Sequence, residues 1–264
     1  MRNYQRIKIH DNAVSEAVGF IIIFGIMLTG IGLVTLYGYP VLLQEQQNSN
    51  IRNMERNMIV LQSDLNSLTV KSVPYKETMM QVAGGTLMVA KEPDPIWPYF
   101  EVIKDGATTL LQFFPGELKY ISDNGDVVIV TENGAVHKRY YSSPGGSVMI
   151  SEPRWFYDEP TQTFVMSFIR VNATNNLAQT GIGTVSMKIV DSQEKIEDVT
   201  GSQVEIEYHA KPEDNYKIAW KNYFDKPELN MEERPSAGFS TKYRLDSNIK
   251  KLVIKTYNVT ILSI

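Results

Sequence analysis

Between Ala17 and Gln44 the chain carries no Asp, Glu, Lys or Arg, and most of these 28 residues are Ile, Leu, Val, Phe, Gly or Tyr. No other feature restricts the fold as much. A helix needs about 20 apolar residues to cross a hydrocarbon layer of roughly 30 Å. The apolar heart of a cleaved export signal runs to only about 7–15. The run therefore predicts a membrane-spanning helix. Arg2, Arg6 and Lys8 precede it, while the first basic residue beyond it is Arg52. Positive charge stays on the cytoplasmic side, so the N-terminus is expected inside and everything beyond residue 45 outside. Tyr37 and Tyr39 sit where an interfacial aromatic belt is expected, and Pro40 is expected to kink the helix or mark its edge.

A polar helical segment follows. Ile51, Met54, Met58, Leu61, Leu65 and Leu68 recur at spacings of three and four, a heptad seam, and no Gly or Pro interrupts Val41 to Thr69. Gln44 and Gln47 hold the seam positions just upstream, so the apolar stripe starts at Ile51. Joined to the apolar run, this segment predicts a stalk of about 50 residues, roughly 75 Å long. Alternatively the seam docks on the chain's own globular domain. That reading is preferred for at least part of it, because such a domain needs a cover.

From about Val70 onward the pattern is β-rich. Leu118–Ser122, Asp126–Thr131 and Ala135–Tyr141 are short strand-like runs separated by Asn124-Gly125 and Asn133-Gly134. Asn-Gly favours tight hairpin turns because both residues tolerate positive φ, so a meander is expected. Leu87–Ala90, Thr163–Val171, Thr184–Val190, Gln203–Tyr208 and Leu252–Leu262 are further strand candidates. One helix is expected to interrupt them, opened by Pro212, with Tyr216, Ala219, Trp220, Tyr223 and Phe224 on one face. The predicted fold class is α+β. It comprises a leader over residues 1–13, a transmembrane helix and heptad-like stalk over 14–69, and a mainly β, sandwich-like external domain over 70–264 with one short amphipathic helix.

Composition narrows the function. The net charge is −4 with 21% charged residues and no basic cluster, which removes the electrostatic footprint of nucleic-acid binding. The absence of cysteine excludes disulfides, thiol catalysis and Cys-based metal sites. His10, His137 and His209 are widely separated, and no zinc-protease, nucleophile-elbow, phosphate-loop or dinucleotide motif occurs. Gly84-Gly85 and Gly145-Gly146 lack the Lys-Ser/Thr ending of a phosphate loop and are expected to be turns or bulges. Asp123–Asp126 has calcium-like letters without ligand spacing. No catalytic residue, metal or cofactor is expected, and an enzyme is the least favoured class. Asn172-Ala-Thr174, read as part of a polar loop, and Asn258-Val-Thr260, read as part of a strand, are N-glycosylation sequons on the expected external side.

The basic leader, then Ala13-Val14-Ser15-Glu16, then Gly19-Phe20 and an unbroken apolar helix resemble the start of archaeal type IV pilin-like proteins. The similarity is greatest to a group of archaeal envelope proteins with an anchor helix and a β-rich external region. Gly84-Gly85-Thr86-Leu87, Asn133-Gly134-Ala135-Val136 and Ala219–Phe224 also look like features of that group. The resemblance implies cutting by a prepilin-peptidase-like membrane enzyme between Ala13 and Val14. A basic residue is common before the cut in that class, whereas Asn12 precedes Ala13 here. Glu16 then has two roles open to it. It can meet the positive end of the helix dipole, or pair with the new α-ammonium of Val14 in its own chain or a neighbour's. Gly25, Thr29, Gly30 and Gly32 offer small surfaces for helix contact. The implied function is a pilin-like cell-surface protein, a minor subunit of a filament that assembles with itself or other pilin-like subunits. A non-polymerising single-pass envelope protein, with an adhesin, partner-binding or stator-like head, is the alternative.

Overall fold

The computed structural model describes residues 11–71, 73–141, 146–212 and 215–264, with side chains from Glu16 onward. The contacts divide the chain into two units, Met1–Ser49 and Asn50–Ile264. In the first unit, helix α1 (Asp11–Leu33) passes through a π turn (Val34–Gly38) into helix α2 (Tyr39–Val70). Pro40 neither ends nor breaks this path. Proline has no N–H to offer the carbonyl of Leu36, and its ring crowds that carbonyl in a regular α-helix. The π turn absorbs the misfit by widening the ring, and the Tyr39 N–H reaches back five residues to the carbonyl of Val34. Large apolar side chains from Val18 to Leu43 are all 40–70% exposed. The helix over Glu16–Val70 is long enough, and apolar enough in its first part, to cross a membrane.

The second unit is built on a nine-stranded and a five-stranded sheet. Its strands are β1 (Tyr75–Val89), β2 (Tyr99–Lys104), β3 (Thr108–Phe113), β4 (Glu117–Ser122), β5 (Val127–Glu132), β6 (Ala135–Tyr140) and β7 (Ser147–Ser151). They continue with β8 (Phe156–Asp158), β9 (Thr163–Ala173), β10 (Leu177–Asp198), β11 (Val204–His209), β12 (Met231–Arg234), β13 (Ser240–Leu245) and β14 (Lys251–Ser263). The larger sheet has the order β7-β6-β5-β4-β1-β10-β14-β9-β8, and the smaller β12-β13-β11-β2-β3. Among the described residues, all pairings are antiparallel except that of β9 with β14.

The large sheet is covered on both faces, and its sequences show it. In β5 all six residues are buried; Val127 and Ile129 enter one core while Val130 enters the other. In β9, Phe164, Met166 and Phe168 point into the core shared with the small sheet, and Ile169, Val171 and Ala173 into the opposite one. Because successive side chains alternate between faces, the switch from even to odd positions means that burial passes from one side of the sheet to the other.

Helix α2 supplies the cover on that second side. Met54, Met58, Leu61, Leu65 and Leu68 are fully buried in the core with Leu87, Tyr120, Ile129 and Val259. The heptad seam is thus spent on the chain's own sheet, and the β-rich unit begins at Asn50 rather than at residue 70. Polar contacts fix the helix register. The buried Gln62 donates to the carbonyls of Gly134 (2.9 Å) and Glu152 (2.8 Å) and accepts from Ser151 (2.9 Å). Lys138 pairs with Glu55 at 2.5 Å, Lys76 with Asp64 at 3.1 Å, and Thr78 donates to Asp64 at 2.7 Å.

Helix α3 (Lys217–Phe224) packs into the core shared by the two sheets, with Ala219, Trp220, Tyr223 and Phe224 buried. It begins five residues beyond Pro212, because the Asn215 side chain accepts the Lys217 N–H at 2.9 Å and opens the helix there. Both Asn-Gly hairpins form. At Asn133-Gly134 both residues have positive φ (50° and 72°), the two-residue turn expected. At Asn124-Gly125 only the glycine does; the Asn124 side chain instead accepts from Ser122 (2.7 Å) and from the Asp126 N–H (3.2 Å). Gly84-Gly85 lies where the β1–β10 register shifts, as a bulge. Gly145-Gly146 falls partly outside the described residues.

Truncating the seam tests the helix cover. Leu61→Ala is expected to cost about 2–5 kcal/mol of unfolding free energy, and Val60→Ala, on the exposed face, less than about 0.5 kcal/mol. Denaturant unfolding of the detergent-solubilised full chain measures both.

Candidate functional site

The residues singled out in the sequence do not gather into one site, although two of them lie on neighbouring strands. Ala13 and Val14 lie in α1, but their side chains are outside the described residues, as is the whole of His10. Glu16 is exposed in the first turns of α1. Asn172 is not in a loop. It lies in β9, half-buried, and its Oδ1 accepts the Thr260 hydroxyl at 2.7 Å. Thr260 belongs to the second sequon, whose Asn258 sits in β14 opposite Arg170. The two acceptor triplets therefore meet on neighbouring strands of the large sheet.

A cavity of about 210 Å³ lies elsewhere, where the chain crosses from the large sheet to the small one. Val89 and Val171 line it from β1 and β9, Glu117 and Lys119 from β4, and the 92–98 loop contributes Glu92, Pro93, Asp94, Trp97 and Pro98. Lys211, just beyond β11, completes it. The charges are interleaved: Lys119 stands 3.7 Å from Glu117, and Lys211 3.5 Å from Asp94. Asp94 also shapes the loop. Its Oδ1 accepts the N–H groups of Ile96 (2.9 Å) and Trp97 (3.3 Å). Those bonds, the Ile96 one above all, with help from the Lys211 charge, hold its carboxyl below the usual range. Trp97 packs on Tyr99 and His209, with ring centroids 5.6 and 6.2 Å away.

The cavity depends on Gly116. Its φ is +68°, and a Cβ there would stand 2.0 Å from the carbonyl oxygen of Val171 and 3.2 Å from Pro93. No side chain can occupy that position without moving backbone, so glycine both allows the turn and keeps the loop against β9.

Behind Glu117, directly across the strand pair, is Glu132. It is fully buried, accepting from Trp220 Nε1 at 2.8 Å and from the Tyr208 hydroxyl at 3.3 Å. Burial first, and then the like charge of Glu117, push its carboxyl up to about 8, against the pull of those two donors. His137 is also fully buried, with rings of Tyr216 and Trp220 each 5.3 Å away, and among the described residues neither ring nitrogen has a hydrogen-bond partner. Burial holds its imidazole down to about 3. The Trp220 stripe is legible in the sequence, but the carboxylate that it holds is not.

The model of a family of unknown function, DUF7289, matches residues 12–261. The chain belongs to this family. Nothing among curated proteins or solved structures matches it. The DUF7289 match takes in the apolar helix together with both cores of the β-rich unit, and so includes the cavity as well as the buried Glu132.

Glu132 and His137 give opposite pH dependences. Glu132 has a raised folded-state pKa, so its contribution is complete below about 4.5 and is lost as pH rises through about 8. His137 has a depressed one, so its contribution is complete above about 6.5 and is lost as pH falls towards about 3. Between about 4.5 and 6.5 the slopes cancel, each being about 1.4 kcal/mol per pH unit. Stability should therefore fall by about 2 kcal/mol between pH 6.5 and 8. Glu132→Gln, which retains an acceptor for Trp220, should flatten that limb. Chemical denaturation at a series of pH values reads both curves.

Proposed function

We propose that the chain is a membrane-anchored protein of the cell envelope, pilin-like in its N-terminal organisation, with its β-rich unit outside the cell. One observation carries the reading: the uncharged run from Ala17 to Gln44 is helical and its large apolar side chains are exposed throughout. Roughly 20 such residues suffice to span a bilayer, and an exposed apolar surface of this length needs a lipid or protein environment. The charge asymmetry of its flanks supports an inside N-terminus. The resemblance of Ala13–Phe20 to pilin-like starts supports processing between Ala13 and Val14, and assembly as a minor subunit with itself or with related chains. In that role Glu16 offsets the α-ammonium of Val14 as both leave water.

No catalytic role enters this reading; the external unit acts as a head that meets partners. Mass spectrometry of the native protein is expected to find Val14 as the first residue, and an intact Met1 would remove processing from the proposal. Glu16→Ala is expected to abolish surface filaments while leaving membrane insertion unchanged. Filaments at wild-type abundance in that variant would instead make Glu16 a tolerated charge at a helix end.

A further inference from the structure

The cavity beside Trp97 has a chemistry that the anchor and the packing of the sheets do not use. Its volume of about 210 Å³ is below the range of roughly 300–1,000 Å³ typical of drug-sized ligands, and suits a ligand of one ring. Its walls are of two kinds. Val89, Pro93, Trp97, Pro98 and Val171 present apolar surface, while Glu117, Lys119, Asp94 and Lys211 present two ion pairs.

That combination selects among ligands. An anion would have to displace Glu117 or Asp94 from its lysine, with Glu92 adding a third negative charge at the rim. A cation would leave Lys119 or Lys211 without its partner. Breaking the largely buried Lys119–Glu117 pair is costly, and the more exposed Lys211–Asp94 pair adds a smaller cost. A neutral molecule with several hydroxyls avoids both losses, because each hydroxyl can donate to a carboxylate or accept from an ammonium. An indole beside such groups favours a ligand that also has an apolar C–H face. A pyranose ring has both properties.

We infer that this cavity binds a single neutral pyranose unit of a glycan, seated against Trp97 and hydrogen-bonded by Glu117, Lys119, Asp94 and Lys211. Asp94 has a second task, since its bonds to the Ile96 and Trp97 N–H groups set the turn that carries the indole. The inference concerns the β-rich unit alone and stands or falls independently of membrane insertion, processing or filament formation.

The three tryptophans make the test direct. Trp155 and Trp220 are buried at 5% and 0% exposure, so a ligand from solvent can reach only Trp97. The full chain, in a detergent without a sugar headgroup, is titrated with the methyl glycosides of glucose, mannose, galactose and N-acetylglucosamine. Tryptophan emission is expected to change saturably with at least one of them, at millimolar affinity. Lys211→Met, on the rim, should weaken that titration at least tenfold, while the loss of its pair with Asp94, whose side chains are 30% and 39% exposed, costs little stability. Trp97→Phe should abolish the emission change and weaken binding read by saturation-transfer NMR. The inference is overturned if no neutral glycoside saturates by about 100 mM, if only glucuronate or glucosamine binds, or if Lys211→Met binds as the native chain does.

Discussion

A sheet with apolar side chains on both faces cannot leave either face to water, and the rest of the β-rich unit follows from that constraint. One side of the nine-stranded sheet is closed by the five-stranded sheet and α3, the other by the seam of α2. Fully burying five large side chains is worth roughly 1.5–3 kcal/mol each, and the Gln62, Asp64 and Glu55 contacts decide which rotation of the helix meets the sheet. The β-rich unit therefore includes α2 from Asn50 to its end at Val70. This is why the boundary falls at Asn50, inside a helix, and not at the end of one.

What could be read in advance divides along physical lines. Signals carried by neighbouring residues survived: the seam of α2, the aromatic stripe of α3, the turn at Asn133-Gly134 and the strands β4, β5, β6, β9 and β14. Signals carried by residues far apart did not. Of the small sheet only β11 was apparent. Its partners β2 (YFEVIK) and β13 (STKYRL) mix apolar and charged residues over just six positions, too few to stand out without knowing that a second sheet needs them. On polarity alone Asn172 reads as part of a loop. The parallel register of β9 with β14, which ties Asn172 to Thr260 across 88 residues, draws it into the sheet.

The same limit hid the site. Val89, Trp97, Glu117, Val171 and Lys211 share no motif and are spread over more than a hundred residues. They meet because β1 ends beside the start of β4 while the following loop crosses to the small sheet. Glu117 and Glu132 became a pair only through the β4–β5 register. Short-range sequence reasoning finds covers and turns; sites assembled by topology need the fold.

Three segments that first suggested kinship turn out to have closely related structural tasks. Gly84-Gly85 lets Asn50 and the Tyr120 ring approach β1, since a Cβ on these glycines would meet them at 2.6 Å. Gly134 gives α2 an acceptor for Gln62 and leaves room for Ile169. Trp220, in the third segment, donates to Glu132 one residue before the Asn133-Gly134 turn. The first two secure the helix cover on one face of the large sheet, and the third secures α3 on the other. Such positions resist change because backbone is close by and a buried donor would lose its acceptor. Their constraint comes from closing the two faces of one sheet, whereas Glu92 and Lys211 on the cavity rim belong to neither core.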